Sequence, residues 1–264
     1  MLLRLILCYC FATASALADQ KPLLSLVVDD LGYSYDRGKA SMEIPGDHTF
    51  AIIPGTAHGP ALSTFAETID KEIILHLPLQ ASNSRAAAEK NALDETMDED
   101  QINRQLHTML SEYQGIAGVN NHMGSYLTSI DYFMRAIMEG INRFNPGLYF
   151  LDSRTTALSV AYYEAVDSGI ESIQRDIFLD NNYNNVESLQ FQFNKWQNIA
   201  REKGSAIAIA HPHPSTTEFL TQRLPDIMEN FRIVRVSTML ELLNQPETIN
   251  WQASLGNQNE PQVD

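Results

Sequence analysis

Leu23-Leu24-Ser25-Leu26-Val27-Val28-Asp29-Asp30-Leu31-Gly32 is the stretch on which the fold turns. Six apolar or small residues run straight into two adjacent carboxylates, and a glycine follows. A short, continuous apolar run of this kind is a parallel strand covered on both faces and ending at a polar rim. Two like charges on neighbouring residues are costly at a core edge unless a cation or a shared proton relieves them. The pair therefore points to a metal or to acid–base chemistry.

Further runs of the same type recur along the chain at Thr49–Ile53, Glu72–Leu77, Ile116–Asn120, Leu148–Leu151, Asp176–Leu179, Ser205–Ala210 and Ile233–Val236. Helical patterns separate them. Thr96 with Glu99 has the spacing of a capping box, followed by the stripe Ile102, Leu106, Met109, Leu110 and Tyr113. Val186, Leu189, Phe193, Trp196 and Ala200 mark a second core-facing stripe. Ser215 with Glu218 caps a third helix, which carries Phe219, Leu220, Leu224, Ile227 and Met228. About eight strand–helix repeats in one domain predict an irregular α/β barrel of about seven to eight strands, with an open doubly wound sheet as the alternative. Neither GxGxxG nor GxxxxGK[ST] occurs, so the nucleotide-binding folds lose their usual support.

The segment before the first strand has a different character. Met1–Ala18 carries Arg4, an apolar run from Leu5, and the small-x-small ending Ala16-Leu17-Ala18, with polar Asp19-Gln20-Lys21 after it. It reads as a secretory signal peptide cut after Ala18. The apolar stretch is shorter than the roughly 20 residues that a membrane span needs, and no later segment reaches that length. Both cysteines, Cys8 and Cys10, lie in this leader. An exported chain without cysteine uses no disulfide and no thiol chemistry, which fits the bacterial periplasm. One domain is expected over residues 19–248, with a loose Asn-, Gln- and Pro-rich tail over 249–264. A formal charge of −15 without a basic patch argues against nucleic acid and against anionic lipid.

In α/β folds, chemistry gathers at the carboxyl ends of the strands. Here the first strand ends in Asp29-Asp30, the third in His76, and the fourth in Asn120-Asn121-His122. Later ones end in Asp152-Ser153-Arg154, Asp180-Asn181-Asn182 and His211-Pro212-His213. Four of the seven histidines fall at these ends; His48, His58 and His107 do not. Asp30, His76 and His122 form the simplest ligand set for a divalent cation, most simply Zn2+ with an open position. Asp29 is the candidate base, and His211 the candidate acid or oxyanion donor. Arg154 is the candidate to orient a carboxylate. Asn120, Asn121, Asp180 and His213 are the candidates for contact with substrate.

Each assignment has a structural rival. Asp30 also suits a turn cap, His76 a backbone hydrogen bond before Leu77-Pro78, and His122 a structural hydrogen bond. Asp180 suits a turn beside Asn181 and Asn182, Arg154 an ion pair with Asp152 or Asp180, and Asn120-Asn121 the satisfaction of their own loop. His213 between two prolines suits a rim-lining residue. Neighbouring Asp29 and Asp30 leave no room for a sugar between them, so they are not an opposed glycosidase pair.

These pieces, taken in order, resemble the divergent polysaccharide deacetylases, a branch of the NodB-like carbohydrate esterases. The matching segments are Val28–Gly32, His76–Leu79, Gly118–Ser125, Leu151–Thr155, Arg175–Asp180 and Ala208–Pro214. The resemblance implies an irregular (β/α) barrel and metal-dependent removal of an acetyl group from an envelope polysaccharide or related glycan. It places the base on Asp29, a metal ligand on Asp30 and the acid on His211. Better-known members carry their metal histidines as His-x-x-x-His; four residues from His122 stand Gly118 and Tyr126, so His76 is expected to supply the second imidazole. The other reading is a barrel that binds an envelope glycan or envelope protein without catalysis and keeps a vestigial metal site.

Overall fold

The computed structural model describes residues 21–82 and 91–245. The expected signal peptide and C-terminal tail lie outside the described residues, as do positions 83–90 of the segment Ala81–Asp94, which the sequence places as a loop or short helix over the barrel mouth. The chain alternates β1 (Leu23–Leu31), α1 (Tyr35–Met42), β2 (Thr49–Ile52), α2 (Gly59–Thr68), β3 (Glu72–Leu79), α3 (Glu99–Leu110), β4 (Gly118–Met123), α4 (Asp131–Phe144), β5 (Tyr149–Asp152) and α5 (Ala161–Asp167). It continues through β6 (Ser172–Gln174), β7 (Ile177–Phe178), α6 (Val186–Lys203), β8 (Ser205–Ala210), α7 (Pro214–Ile227), β9 (Arg232–Ile233) and α8 (Val236–Leu243).

The strands pair in parallel, in the order β6-β5-β4-β3-β2-β1-β8-β7. The outer members, β6 and β7, are consecutive in the chain. Between them, Arg175 N–H donates to the Asp152 carbonyl on one side (3.0 Å), and Asp176 N–H to the Ile207 carbonyl on the other (3.0 Å). One bent segment thus bridges the two ends of the sheet, and the result is an irregular (β/α) barrel. β9 pairs with Leu23 and Leu24, and α8 follows it at the amino ends of the strands.

Two apolar layers result. Leu24, Leu26 and Val28 of β1 pack outward with Leu75, Val119, Phe150, Ala208 and the helices. Val27, Ile74, Leu151, Ile207 and Ile209 point inward and meet Val236, Met239 and Leu240 of α8. At roughly 25 cal/mol per Å2 of apolar surface, burial on both faces is the main stabilising contribution. Trp196 of α6 is fully buried, and its indole N–H donates to the Ala206 carbonyl (3.1 Å). Gly204, at φ 85°, ends α6 and turns the chain directly into β8.

Several boundaries differ from the sequence reading. α3 is capped by Asp98, whose carboxylate accepts from Gln101 N–H while the Gln101 side chain accepts from Asp98 N–H. Thr96 instead donates to Asp94 in the preceding turn. α7 begins at Pro214, and the Ser215 hydroxyl donates to the Tyr183 carbonyl rather than capping the helix. The run Ile233–Val236 splits into the end of β9 and the start of α8.

Candidate active site

Strand periodicity explains how the site is assembled. Side chains alternate faces along a strand. Val27 points inward, and so does Asp29; Ile74 and then His76; Leu151 and then Ser153; Ile209 and then His211. On β4 the outward residue is Val119, which leaves Asn120 and His122 facing in. Five strands therefore carry a polar residue onto the inner face, four of them one step above a residue of the inner apolar layer.

Asp30 breaks the rule. As the neighbour of Asp29 it would face outward in a regular strand. It sits at φ 60°, and the β1–β2 register shifts between Val28 and Leu31. This left-handed residue and bulge bring the second carboxylate back over the rim, so both acids reach one site. Met123 (φ 54°) and Arg154 (φ 47°) adopt the same conformation at the ends of β4 and β5. Non-glycine residues in this region are strained and persist where the surroundings hold them. The surroundings here are specific: the Met123 carbonyl accepts from the Asn121 amide (2.9 Å) and the Thr155 hydroxyl (2.7 Å), and Arg154 N–H donates to Asp152 (2.8 Å).

Three ligand atoms converge. Asp30 Oδ1 lies 2.8 Å from His122 Nδ1 and 3.2 Å from His76 Nε2, and the two histidine nitrogens are 3.2 Å apart. Such a triangle admits a cation on its axis at the roughly 2.0–2.2 Å that imidazole and carboxylate ligands prefer. One carboxylate oxygen and two imidazole nitrogens are also a donor set suited to zinc and its neighbours. The residues present fit a divalent cation.

The two acids differ in character. Burial pushes the Asp29 carboxyl up, against the pull of His76 and His211. Burial also opposes ionisation of Asp30, but the hydrogen bonds and charges of His122 and His76 outweigh it and hold that carboxyl well below the usual range. Environments that push two neighbouring carboxyls apart separate a base from a ligand. Asp29 Oδ2 lies 3.7 Å from His76 Nε2. For His76, burial is outweighed by Asp29 and Asp30, and its pKa is raised.

On the other side, His211 Nδ1 lies 2.9 Å from Asp180 Oδ1, and His211 N–H donates to Asp180 Oδ2 (2.7 Å). The Thr216 hydroxyl donates to the same oxygen (3.2 Å). Burial lowers the His211 pKa, but Asp180 first, then Asp30 and Asp29, raise it to about 9. His211 is therefore an imidazolium at neutral pH, with Nε2 3.9 Å from Asp30 Oδ2.

Asp29, Asp30, His76, His122 and His211 thus come together as the sequence expects, and others take different places. Asp180 is buried behind His211 and is a partner of that imidazole, not a substrate contact. Asn121 binds backbone at both ends of its amide, accepting from Ser153 N–H and donating to Met123. Asn120 is fully buried and likewise faces no substrate. Arg154 is exposed and donates to Gln174 (3.0 Å); its left-handed backbone turns the side chain away from the acids. The cation the sequence missed is Arg175, which donates to the carbonyls of Ser153 (2.7 Å) and Arg154 (2.9 Å). It also lies 3.8 Å over Phe178, whose ring stacks on His211 (6.0 Å). In the sequence it stands at the head of the matching segment Arg175–Asp180, just before a short strand candidate, with nothing there to give it a role. His213 is half-buried at the rim and stacks on Tyr183 (3.7 Å). A cleft of about 180 Å3 opens here between Asp30, Tyr33, Arg37, His211 and His213.

Comparison with known proteins shows the family and the fold. The divergent polysaccharide deacetylase family profile matches residues 26–240. The uncharacterised protein YibQ of Escherichia coli K12 is 35% identical over 240 residues, covering 89% of this chain and 73% of its own. An uncharacterised protein of Haemophilus influenzae Rd is 34% identical over 216 residues, 82% of this chain and 76% of its own. The crystal structure of uncharacterised protein ATU2773 from Agrobacterium tumefaciens C58 superposes with a TM-score of 0.78 at 20% identity, covering 84% of this chain and 90% of that one, and shares the fold.

Proposed function

The chain belongs to the divergent polysaccharide deacetylase family, and on that premise we propose that it removes acetyl groups from an envelope glycan in the periplasm, using a divalent cation, Zn2+ in the first instance. The observation that carries the reading is the convergence of Asp30 Oδ1, His76 Nε2 and His122 Nδ1 between a buried acid, Asp29, and an imidazolium, His211. The cation, when bound, supplies Lewis acidity that activates water and polarises the acetyl carbonyl.

The remaining steps fall to side chains. Asp29, whose raised pKa suits a base, takes the proton of the attacking water through Oδ2. His211 gives its Nε2 proton to the departing nitrogen or oxygen of the sugar, while Asp180 holds Nδ1–H and stabilises the charged ring. Water and an acetylated sugar become acetate and a free amine or hydroxyl. The shallow cleft and the flat faces of exposed Tyr33 and of Tyr183 suit a saccharide lying across the rim better than an enclosed small metabolite. The vestigial-site reading drew on the missing His-x-x-x-His segment. The pairing of β3 with β4 weakens that motive, because it puts His76 two register positions from His122, with Nε2 3.2 Å from Nδ1.

The test is acetate release from a panel of N- and O-acetylated envelope glycans, with and without chelator. Release that stops with chelator, returns with zinc and is absent in Asp30→Ala supports the proposal. Zinc binding without release from any substrate in the panel would favour the binding protein.

A further inference from the structure

We infer that Asn120 is a positioning residue: held by the Asp29 carboxylate, its amide fixes the tautomer of His76 so that Nε2 presents a bare lone pair to the cation. This inference rests on the metal-dependent reading of the same site. The side chain of Asn120 makes three hydrogen bonds, to residues on or just after three other strands. Its Nδ2 donates to Asp29 Oδ1 (2.8 Å) and to the Ser153 hydroxyl (3.2 Å). Its Oδ1 lies 2.7 Å from His76 Nδ1.

The orientation of the amide follows from chemistry. Turned the other way, its carbonyl oxygen would face a carboxylate oxygen at 2.8 Å, acceptor against acceptor, in a fully buried place. With Asp29 ionised, as a base must be, it takes the NH2 end and sends the carbonyl end to His76. A carbonyl only accepts, so the proton of a neutral His76 sits on Nδ1. Nε2 is then the nitrogen without a proton, and it is the one within 3.2 Å of both Asp30 Oδ1 and His122 Nδ1. Metal-ligating histidines commonly have their other nitrogen fixed this way, with a tenfold to hundredfold effect on metal affinity. Strand register makes the contact possible, since Asn120 is the direct cross-strand neighbour of His76. The same bond occupies Asp29 Oδ1 and leaves Oδ2 turned toward the ligand atoms, so one amide orients both the base and a ligand.

The two halves of the amide separate by mutation. Asn120→Ala removes both. Asn120→Asp keeps an acceptor for His76 Nδ1 but sets a second carboxyl against Asp29, so that the two must share a proton and Asp29 is lost as a free base. Zinc affinity is measured on the full chain by competition with a chromophoric chelator. The His76 tautomer is read from 15N imidazole shifts of the zinc-loaded chain, and thermal unfolding checks that each variant is folded. Expected are Nδ1–H on His76 in wild type, a tenfold to hundredfold loss of zinc affinity and a mixed tautomer in Asn120→Ala, and zinc affinity within about threefold of wild type in Asn120→Asp. Acetate release from an active substrate falls in both variants.

Three results overturn the inference: a wild-type His76 protonated at Nε2, an Asn120→Ala chain that binds zinc within about twofold of wild type, or a wild-type chain that binds no zinc. Should Asn120→Ala not fold, Asn120→Asp decides, and a tenfold or greater loss of zinc there is fatal. If wild type binds zinc with the expected tautomer but releases no acetate, the deacetylase reading fails and the role of Asn120 stands.

Discussion

The two ends of the barrel both bury carboxylates, hydroxyls and imidazoles, yet they are opposite in kind. At the amino ends of the strands, Glu72 Oε1 accepts from the Thr49 hydroxyl (2.7 Å), the Tyr149 hydroxyl (2.9 Å) and Ser237 N–H (3.4 Å), and Thr49 accepts from Val236 N–H (2.9 Å). Burial and the Glu72 charge hold the Tyr149 pKa well above its usual value, so the phenol stays a donor. Arg235 binds Asp47 through Nε at 2.9 Å, and Lys71 donates to the Gly46 carbonyl. Donors meet acceptors, and the network pins the start of α8 under the barrel. At the carboxyl ends, three ligand atoms face one another instead. The larger cleft, about 710 Å3, is at the closed end, between Glu67, Asp70, Lys71 and Arg235. Neither burial of polar groups nor volume marks the chemistry; the balance of donors and acceptors does.

Mutations at the two ends should separate accordingly. The largest effect is expected for Asp29→Asn, which keeps an acceptor for Asn120 but removes the base. Its turnover should fall about 10²- to 10⁴-fold in acetate-release kinetics, without loss of thermal stability. If activity survives, the carboxyl rim is not the reacting end. Glu72→Ala should do the converse. It leaves the buried Thr49 and Tyr149 hydroxyls without their acceptor and should cost about 2–4 kcal/mol in denaturant unfolding, with zinc affinity unchanged. A loss of zinc affinity there would mean that the two ends are coupled.

A third prediction concerns acid stability. His48, at the closed end, is fully buried; its Nε2 donates to the Pro45 carbonyl (2.8 Å), and among the described residues Nδ1 has no partner. A second ring proton would be buried without an acceptor, and burial lowers its pKa from 6.5 to about 4. Between these values the unfolded chain binds the extra proton, so this contribution to stability is complete above pH 6.5 and is lost as pH falls toward 4. Wild type should lose about 1–2 kcal/mol more than His48→Gln between pH 7 and pH 5, measured by denaturant unfolding at each pH. Equal losses would show that His48 does not contribute. The smallest effect is expected for Arg154→Ala. An exposed side chain bonded to Gln174 should change stability by no more than about 0.5 kcal/mol and acetate release by no more than about threefold. A large loss of release would return Arg154 to the site.

How far the site was legible depended on what each residue needs from its neighbours. Asp29, His76 and His211 announced themselves because each follows its own apolar strand. Asn120 carried the same signal, but its role depends on facing His76 and Asp29, which are 44 and 91 positions away in the chain. Arg154 and Arg175 could not be ranked from the sequence, because the backbone at φ 47° sends one away and the bend between β6 and β7 brings the other in. The first turn of α3 was placed two residues early, since Thr96 and Asp98 both offer a capping oxygen and only hydrogen bonding chooses Asp98.

The sequence by itself determined the repeating strands and helices, the polar strand ends, and the adjacency of two carboxylates, Asp29 and Asp30, at the first of them. These follow from local composition and from the period-two alternation of a strand. Only the tertiary structure decided that both acids reach the same side, that His76 stands beside Asn120 and His122, and that Asp180 serves His211. Register between parallel strands, and a left-handed turn at a strand end, are set by packing across the whole barrel and leave no mark in any short stretch of chain.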